Sequence, residues 1–393
     1  MDAQKREHDD KSSEQNKRKK LGTPDEADGV TKITDVNDDC LELIFGHLML
    51  QDLVNVADTC KRFQPSAKAV FASKCRGKWL MLHPSVHRLE PFESLENFVK
   101  VFGMSNCLKL LRHFGHKITK IDIDYFFINT VKQAVLGRYM NEYCADSLID
   151  ITIGASEEVI ANWTKPFINA ETVWLWSSDL GDLSEWFPKT RRLVLHAGVQ
   201  WVQNTFPHLE ELEIHNGSNK RNRASVAEML RLNPHLQQLR LLGLGYDMTF
   251  MESVSAYLQS LTLLDIRYGS GFLNLDGSSI NLKSVKEFNI DLRRVGEMRK
   301  IPFSFGQLDK MQLKVNDFKM NDDFGKFLKH NPSLSKLVIH SQVYADTQNS
   351  RLVGQIKMDI AKVSPSLDVD VEISTIFRMM VISLSSDDSE EEE

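Results

Sequence analysis

The sequence predicts an α/β chain in which a short N-terminal module of three helices leads into a solenoid of repeated strand, turn and helix units. Three observations predict it: helix-period apolar spacing from Leu41 to Phe71, a pattern of anchor-x-x-anchor-x-anchor recurring from Leu148 to Ile339, and prolines at a fixed offset before several recurrences. Polar, charged stretches close both ends. The boundaries therefore fall at 1–33 for a disordered charged tail, 34–80 for the helical module, 81–116 for a helical connector, 117–376 for the solenoid, and 377–393 for a C-terminal segment with a disordered acidic tail.

In the helical module, Leu41, Ile44, Phe45 and Leu48 fall at i, i+3, i+4 and i+7, which makes one apolar stripe. A break is predicted at Met49 to Gln51. Asp52 then places an acid in the first turn of a second helix, along which Leu53, Val56, Ala57 and Cys60 repeat the spacing. Pro65 suits the start of a third helix, continued by Ala67, Val70 and Phe71. Helices this short bury little between them, so part of their apolar surface should face the rest of the chain or a partner.

With its Cys60-Lys61-Arg62-Phe63 ending and its N-terminal place, this stretch resembles an F-box over about forty residues, roughly a tenth of the chain. The resemblance implies docking on a Skp-type adaptor, and through it on a cullin ubiquitin ligase, by Leu41, Ile44, Phe45, Leu48, Leu53, Val56 and Phe63. Val36 and Asn37 stand where that family usually opens with Leu-Pro, and Phe63 where it often closes on Trp. Beyond the module, Phe92, Leu95, Phe98, Val99 and Phe102 share a helical spacing, with Leu108, Leu110 and Leu111 following. They predict a helix over 91–115 that would fix the direction of the solenoid.

Nine repeat segments start at Leu148, Ala170, Thr190, Leu209, Leu236, Leu261, Val285, Leu308 and Leu334, spaced by 19 to 27 residues. The third anchor is always Ile or Leu, from Ile153 and Leu175 to Leu313 and Ile339, and the middle anchor is always apolar. Pro188, Pro207, Pro234 and Pro332 each stand two residues before a first anchor, where proline ends a helix and biases its predecessor toward extended backbone. Amphipathic stretches at Ser225 to Leu232, Phe250 to Leu258 and Asp322 to Leu328 supply the helices between strands.

A repeat of this length and order resembles a leucine-rich repeat, which implies a horseshoe solenoid with parallel strands on the concave face and helices on the convex one. Only Asn316 occupies the place where that family often carries a bridging Asn, so other groups are expected to bond coil to coil. Residues 118–123 fit a first, atypical coil, and Leu367 to Ile373 a last coil or cap.

Residues between the anchors alternate to the other strand face. They include Trp174 and Trp176, Arg192 and His196, Glu211, Glu213 and His215, Gln238 and Arg240, Arg267, Lys310 and Lys314. A client-binding surface is expected there, with the two tryptophans as its anchors. The acids at 211 and 213 and the lysines at 310 and 314 lie several coils apart, so a charge gradient along the arc is a further expectation.

Composition bounds the remaining classes. The six carboxylates of the last nine residues equal the whole formal charge of −6, so a globally basic nucleic-acid surface is unsupported. Five cysteines form no C-x-x-C pair, and a metal site, a cofactor and a disulfide framework are not expected. No apolar h-region or run of about 20 apolar residues appears, so neither export nor a membrane span is expected. Hydrolase, metalloprotease and phosphate-loop motifs are missing, which argues against an enzyme.

Lys17, Arg18, Lys19 and Lys20 form a basic run of the kind read as a nuclear import signal, and Ser385, Ser386 and Ser389 sit among acids as candidate phosphorylation sites. Cytoplasm and nucleus are the expected compartments. The two resemblances together imply a substrate receptor of an SCF-type ubiquitin ligase with an unidentified protein substrate. The alternative is a leucine-rich-repeat scaffold that binds the adaptor without recruiting a cullin.

Overall fold

The computed structural model describes residues 32–86, 92–123, 130–154, 157–176, 183–196, 205–215, 220–243, 248–267, 280–292, 294–295, 297, 303–344 and 349–376. Three helices come first: α1 (Asp38–Gly46), α2 (Leu50–Thr59) and α3 (Gln64–Lys74). Asn37 caps α1 by accepting a hydrogen bond from the Cys40 N–H at 2.9 Å, and Pro65 lies in the first turn of α3, where a missing N–H costs nothing. The three pack around Leu41, Phe45, Leu53, Ala57, Ala67 and Phe71, all nearly inaccessible to solvent.

The chain then alternates strands with helices or loops. In order these are β1 (Trp79–His83), β2 (Phe92–Ser94), β3 (Phe98–Phe102), α4 (Met104–Phe114), β4 (Lys120–Ile123), α5 (Thr130–Cys144), β5 (Asp150–Ile153), α6 (Glu157–Ile160), β6 (Thr172–Leu175), β7 (Arg192–Leu195) and β8 (Glu211–His215). There follow α7 (Lys220–Leu232), β9 (Gln238–Leu242), α8 (Met248–Tyr257), β10 (Leu263–Arg267), β11 (Ile280–Leu282), β12 (Glu287–Leu292), β13 (Phe303–Phe305), β14 (Lys310–Asn316), α9 (Asp322–His330), β15 (Lys336–Tyr344), α10 (Asn349–Ala361) and β16 (Asp368–Ile376).

Among the described residues, fourteen strands form one sheet in the order β16-β15-β14-β12-β10-β9-β8-β7-β6-β5-β4-β1-β3-β2. Every pairing is parallel except β2 with β3. The result is a solenoid-like α/β arrangement.

Its register has a local cause. The carbonyl just before each strand accepts two successive N–H groups of the next coil: Thr119 from Ile149 and Asp150, Ile149 from Glu171 and Thr172, and so on to Asp309 from Ser335 and Lys336, all at 2.8–3.1 Å. A shift of one residue would turn every anchor to the wrong face, so these paired bonds keep the alternation in phase across coils. The anchors Ile151, Ile153, Val173, Leu175, Leu239, Leu241, Met311 and Leu313 are fully buried and share one apolar core with residues of the helices.

Between β10 and β14 the helix side also carries a small parallel sheet of β11 and β13. Phe303 and Phe305 there pack on Phe288 of β12 at centroid distances of 5.8 and 5.1 Å.

Coil-to-coil bonding also uses buried asparagines at or after helix ends. Asn233 takes the Phe206 N–H on its Oδ1 at 2.8 Å and donates to the Met229 carbonyl. Asn141 of α5 accepts from the Thr164 N–H at 2.8 Å and the Lys165 N–H at 3.3 Å, and its amide donates to the Lys165 carbonyl at 2.6 Å.

The predicted connector helix over 91–115 is corrected. Only Met104–Phe114 is helical, while Phe92–Ser94 and Phe98–Phe102 are strands that continue the sheet. In the run Phe98-Val99-Lys100-Val101-Phe102, Val99 and Val101 are buried and Phe98 and Lys100 half-buried, a period of two set by β-branched residues. Gly103, at φ 83°, supplies the left-handed backbone that turns β3 sharply into α4. The three-helix module is fastened to this region. Phe71 of α3 stacks on Phe114 of α4 at 4.4 Å, and His113 Nε2 and Lys109 Nζ reach Asp58 of α2 at 2.6 and 3.3 Å.

Candidate functional site

The strand face opposite the core carries a column of rings. Trp176, His196 and His215 each follow the third anchor of successive coils, so the common register sets them side by side. Trp176 and His196 stack at 3.4 Å between centroids with planes 4° apart, and His215 lies 4.1 Å beyond. Trp174 flanks the column at 6.2 Å from His196, with the Arg192 guanidinium 5.3 Å from its own centroid. Trp176 is 45% exposed, a large apolar area to leave at the surface.

Glu213 is the electrostatic hub below this column. Its Oε1 accepts from His215 Nε2 at 2.8 Å, its Oε2 from Arg192 at 3.2 Å, and Arg240 stands 3.8 Å from Oε2. The His215 hydrogen bond, aided by Arg192 and opposed by burial, brings its carboxyl down to about 2. His196 shifts for a different reason. Burial, and then the charge of His215, lower it to about 4 against the pull of Glu213, and its Nε2 is buried without a hydrogen-bond partner. At neutral pH the column therefore presents a neutral imidazole stacked on an indole. Such a surface suits apolar or aromatic groups of a partner.

The remaining predicted face residues are half-buried or exposed on this same side, but their charges are compensated locally. Arg240 donates to Glu211 at 3.2 Å and to Gln238 at 2.9 Å. Lys310 meets Glu287 at 2.9 Å, Lys314 meets Asp291 at 3.7 Å, and Arg267 meets Asp265 at 2.6 Å. The expected gradient from the acids at 211 and 213 to the lysines at 310 and 314 is thus replaced by ion pairs within or between neighbouring strands. Strand alternation put His196 and His215 on this face; what it lacked was the in-phase register that brings them into contact with Trp176.

The helical module has a second exposed surface, and the predicted docking residues divide over it. Leu41, Phe45 and Leu53 point into the module's own core, with 0 to 3% exposure, so their side chains are not surface groups. Leu48, Val56 and Phe63 are partly buried against that core, and Ile44 is 43% exposed. Leu43 and Met49, which the stripe passed over, are 71% and 78% exposed. The basic run at Lys17, Arg18, Lys19 and Lys20 and the serines Ser385, Ser386 and Ser389 lie outside the described residues.

Among the described residues no group of three or more His, Cys, Asp or Glu side chains is placed to hold a metal ion, and no helix is long and apolar enough to cross a membrane. No family model matches the chain, and no curated protein matches it.

Proposed function

We propose that the chain is the substrate-recognition subunit of an SCF-type E3 ubiquitin ligase. In this reading residues 34–80 are an F-box that docks a Skp-type adaptor, and the sheet behind it is a leucine-rich-repeat solenoid that holds a target protein. The observation that carries the reading is the pairing, on one chain, of two separate surfaces. One is the apolar group Leu43, Ile44 and Met49 on a small helical module; the other is the strand face that bears the exposed Trp176.

The module's firm attachment through Phe71, Phe114, Asp58 and His113 supports the reading, because a ligase scaffold must hold client and ubiquitin donor at a fixed separation. The chain itself supplies proximity, and transfer chemistry belongs to partner subunits.

The test is affinity purification of the tagged full chain beside a Leu43→Asp, Ile44→Asp double variant, whose changes fall on exposed side chains and leave the core intact. Wild type is expected to bring down both adaptor and cullin, and the variant neither. Adaptor without cullin would replace the ligase reading by the scaffold one, and recovery of neither with wild type would refute both.

A further inference from the structure

Toward its C-terminal end the strand face holds a cleft of about 320 Å³ among β10, β12, β14, β15 and β16. The register lays Asp265, Asn289 and Gln312 across it in one row, and Asp291, Lys314 and His340 in the next. Most of its polar groups are satisfied. Arg267 binds the Asp265 carboxylate through Nε and Nη2 at 2.6–3.1 Å. His340 is held between Gln312 Nε2 at 2.5 Å and Glu372 Oε2 at 2.8 Å.

Two atoms differ. Asn289 is only 8% exposed, and its Oδ1 has no hydrogen-bond partner. Asp291 Oδ2 is also buried without one, because Lys314 Nζ stands 3.7 Å away, beyond hydrogen-bond reach. Both atoms are acceptors, and among the described residues no buried side-chain donor lining the cleft lacks a partner. The unmet demand is for donors. A buried carboxylate whose paired lysine stands outside hydrogen-bond distance also favours a donor that carries positive charge. Burial raises the Asp291 carboxyl, and Lys314 and Arg267 offset this only in part. The volume is at the bottom of the range of about 300–1,000 Å³ for small-molecule sites, so one long side chain suits it better than a cofactor.

We infer that this cleft receives a basic side chain of a client protein, its ammonium or guanidinium donating to Asn289 Oδ1 and Asp291 Oδ2. The assignment of the ligand to a client rests on the recognition role proposed above. It adds a second specificity element to the ring column several coils away, so that a client would be read by an apolar group at one point and a cation at another.

The test titrates the full chain with N-acetyl-arginine methylamide, N-acetyl-lysine methylamide, the uncharged N-acetyl-norleucine methylamide and the anionic N-acetyl-glutamate methylamide, followed by NMR. At least one basic probe should bind ten times more tightly than the norleucine and glutamate probes. Asn289→Leu and Asp291→Asn should each weaken that probe about tenfold. Lys314→Met, which removes the competing cation, should tighten it at least threefold, an effect that misfolding cannot produce.

Preference for the norleucine or glutamate probe, or a basic probe indifferent to Lys314→Met, would overturn the inference. The outcome is separable from that of the ligase reading, since these probes need no adaptor. Loss of cullin recovery with probe binding intact sinks the ligase reading, whereas intact cullin recovery without probe preference sinks only the cleft.

Discussion

Replacing His196 by Phe should remove part of the acid sensitivity of the fold. Phenylalanine keeps a flat ring between Trp176 and His215 but cannot take up a proton. The unfolded histidine titrates near its ordinary 6.5, whereas burial and the neighbouring His215 hold the folded one at about 4. Between those values the unfolded chain binds more protons than the folded one. Stability is therefore fully present above pH 6.5 and is lost as the pH falls toward 4.

At about 1.4 kcal/mol per pKa unit, the fall from 6.5 to about 4 corresponds to about 3 kcal/mol. Screening at a partly exposed ring, and the attraction of an imidazolium to the Trp176 face, both reduce this, leaving about 1 to 2 kcal/mol. Urea unfolding followed by circular dichroism at pH 7 and pH 4 gives the comparison directly. Wild type should lose about 1 to 2 kcal/mol more than His196→Phe over that interval. An equal loss in the two proteins would refute the reasoning, and a smaller loss in wild type would mean that stacking on Trp176 stabilises the cation more than burial penalises it.

Two further outcomes follow from buried groups. Asn141→Ala should destabilise the chain by about 2–4 kcal/mol in a urea melt at neutral pH, because the Thr164 and Lys165 N–H groups lose their shared acceptor and the Lys165 carbonyl its donor. Thiol labelling at pH 8 should modify exposed Cys40 first and leave Cys107 and Cys144 for the unfolded chain, since burial pushes the Cys107 thiol up to about 12 and Cys144 higher still. Native labelling of Cys107 at the Cys40 rate would contradict the packing of α4 on β3.

Much of the sheet was legible because each repeat strand carries its own signal. Anchors at the first, fourth and sixth positions, an Ile or Leu in the last of them and, in four of the nine segments, a proline two residues before the first describe one coil without reference to any other. The region from Phe92 to Phe102 was misread for a related reason. Six apolar residues in eleven satisfy a helical template and a strand template at once, and only pairing with β1 and β2 decides between them.

The helical module illustrates a different loss. The stripe through Leu41, Ile44 and Phe45 falls on α1, but Leu48 lies past its end and the break comes at His47 to Met49, two residues before the expected Met49 to Gln51. Nor can a stripe tell which of its members meet the module's own core and which remain outside. Leu43 escaped notice because it lies off the stripe, and its exposure emerges only once α1 is packed on α3. Glu213 likewise could be placed on a face from sequence, but its service to residues of three successive strands needed the register.

The backbone rungs that keep the coils in phase also set where the array can yield. Cooperativity in a stacked array passes from neighbour to neighbour, so its mechanical weak points are its shortest contacts. The outermost pairing, β15 with β16, joins nine residues, and β14 with β15 joins seven, so the C-terminal end is clamped against fraying. β1 with β4 joins only three residues and β10 with β12 four, and the successive pairings from β4 to β8 join four each. Bending of the sheet should concentrate there, and the stacked rings of Trp176, His196 and His215 lie across that compliant stretch as a brace that a bound partner could stiffen or pry apart.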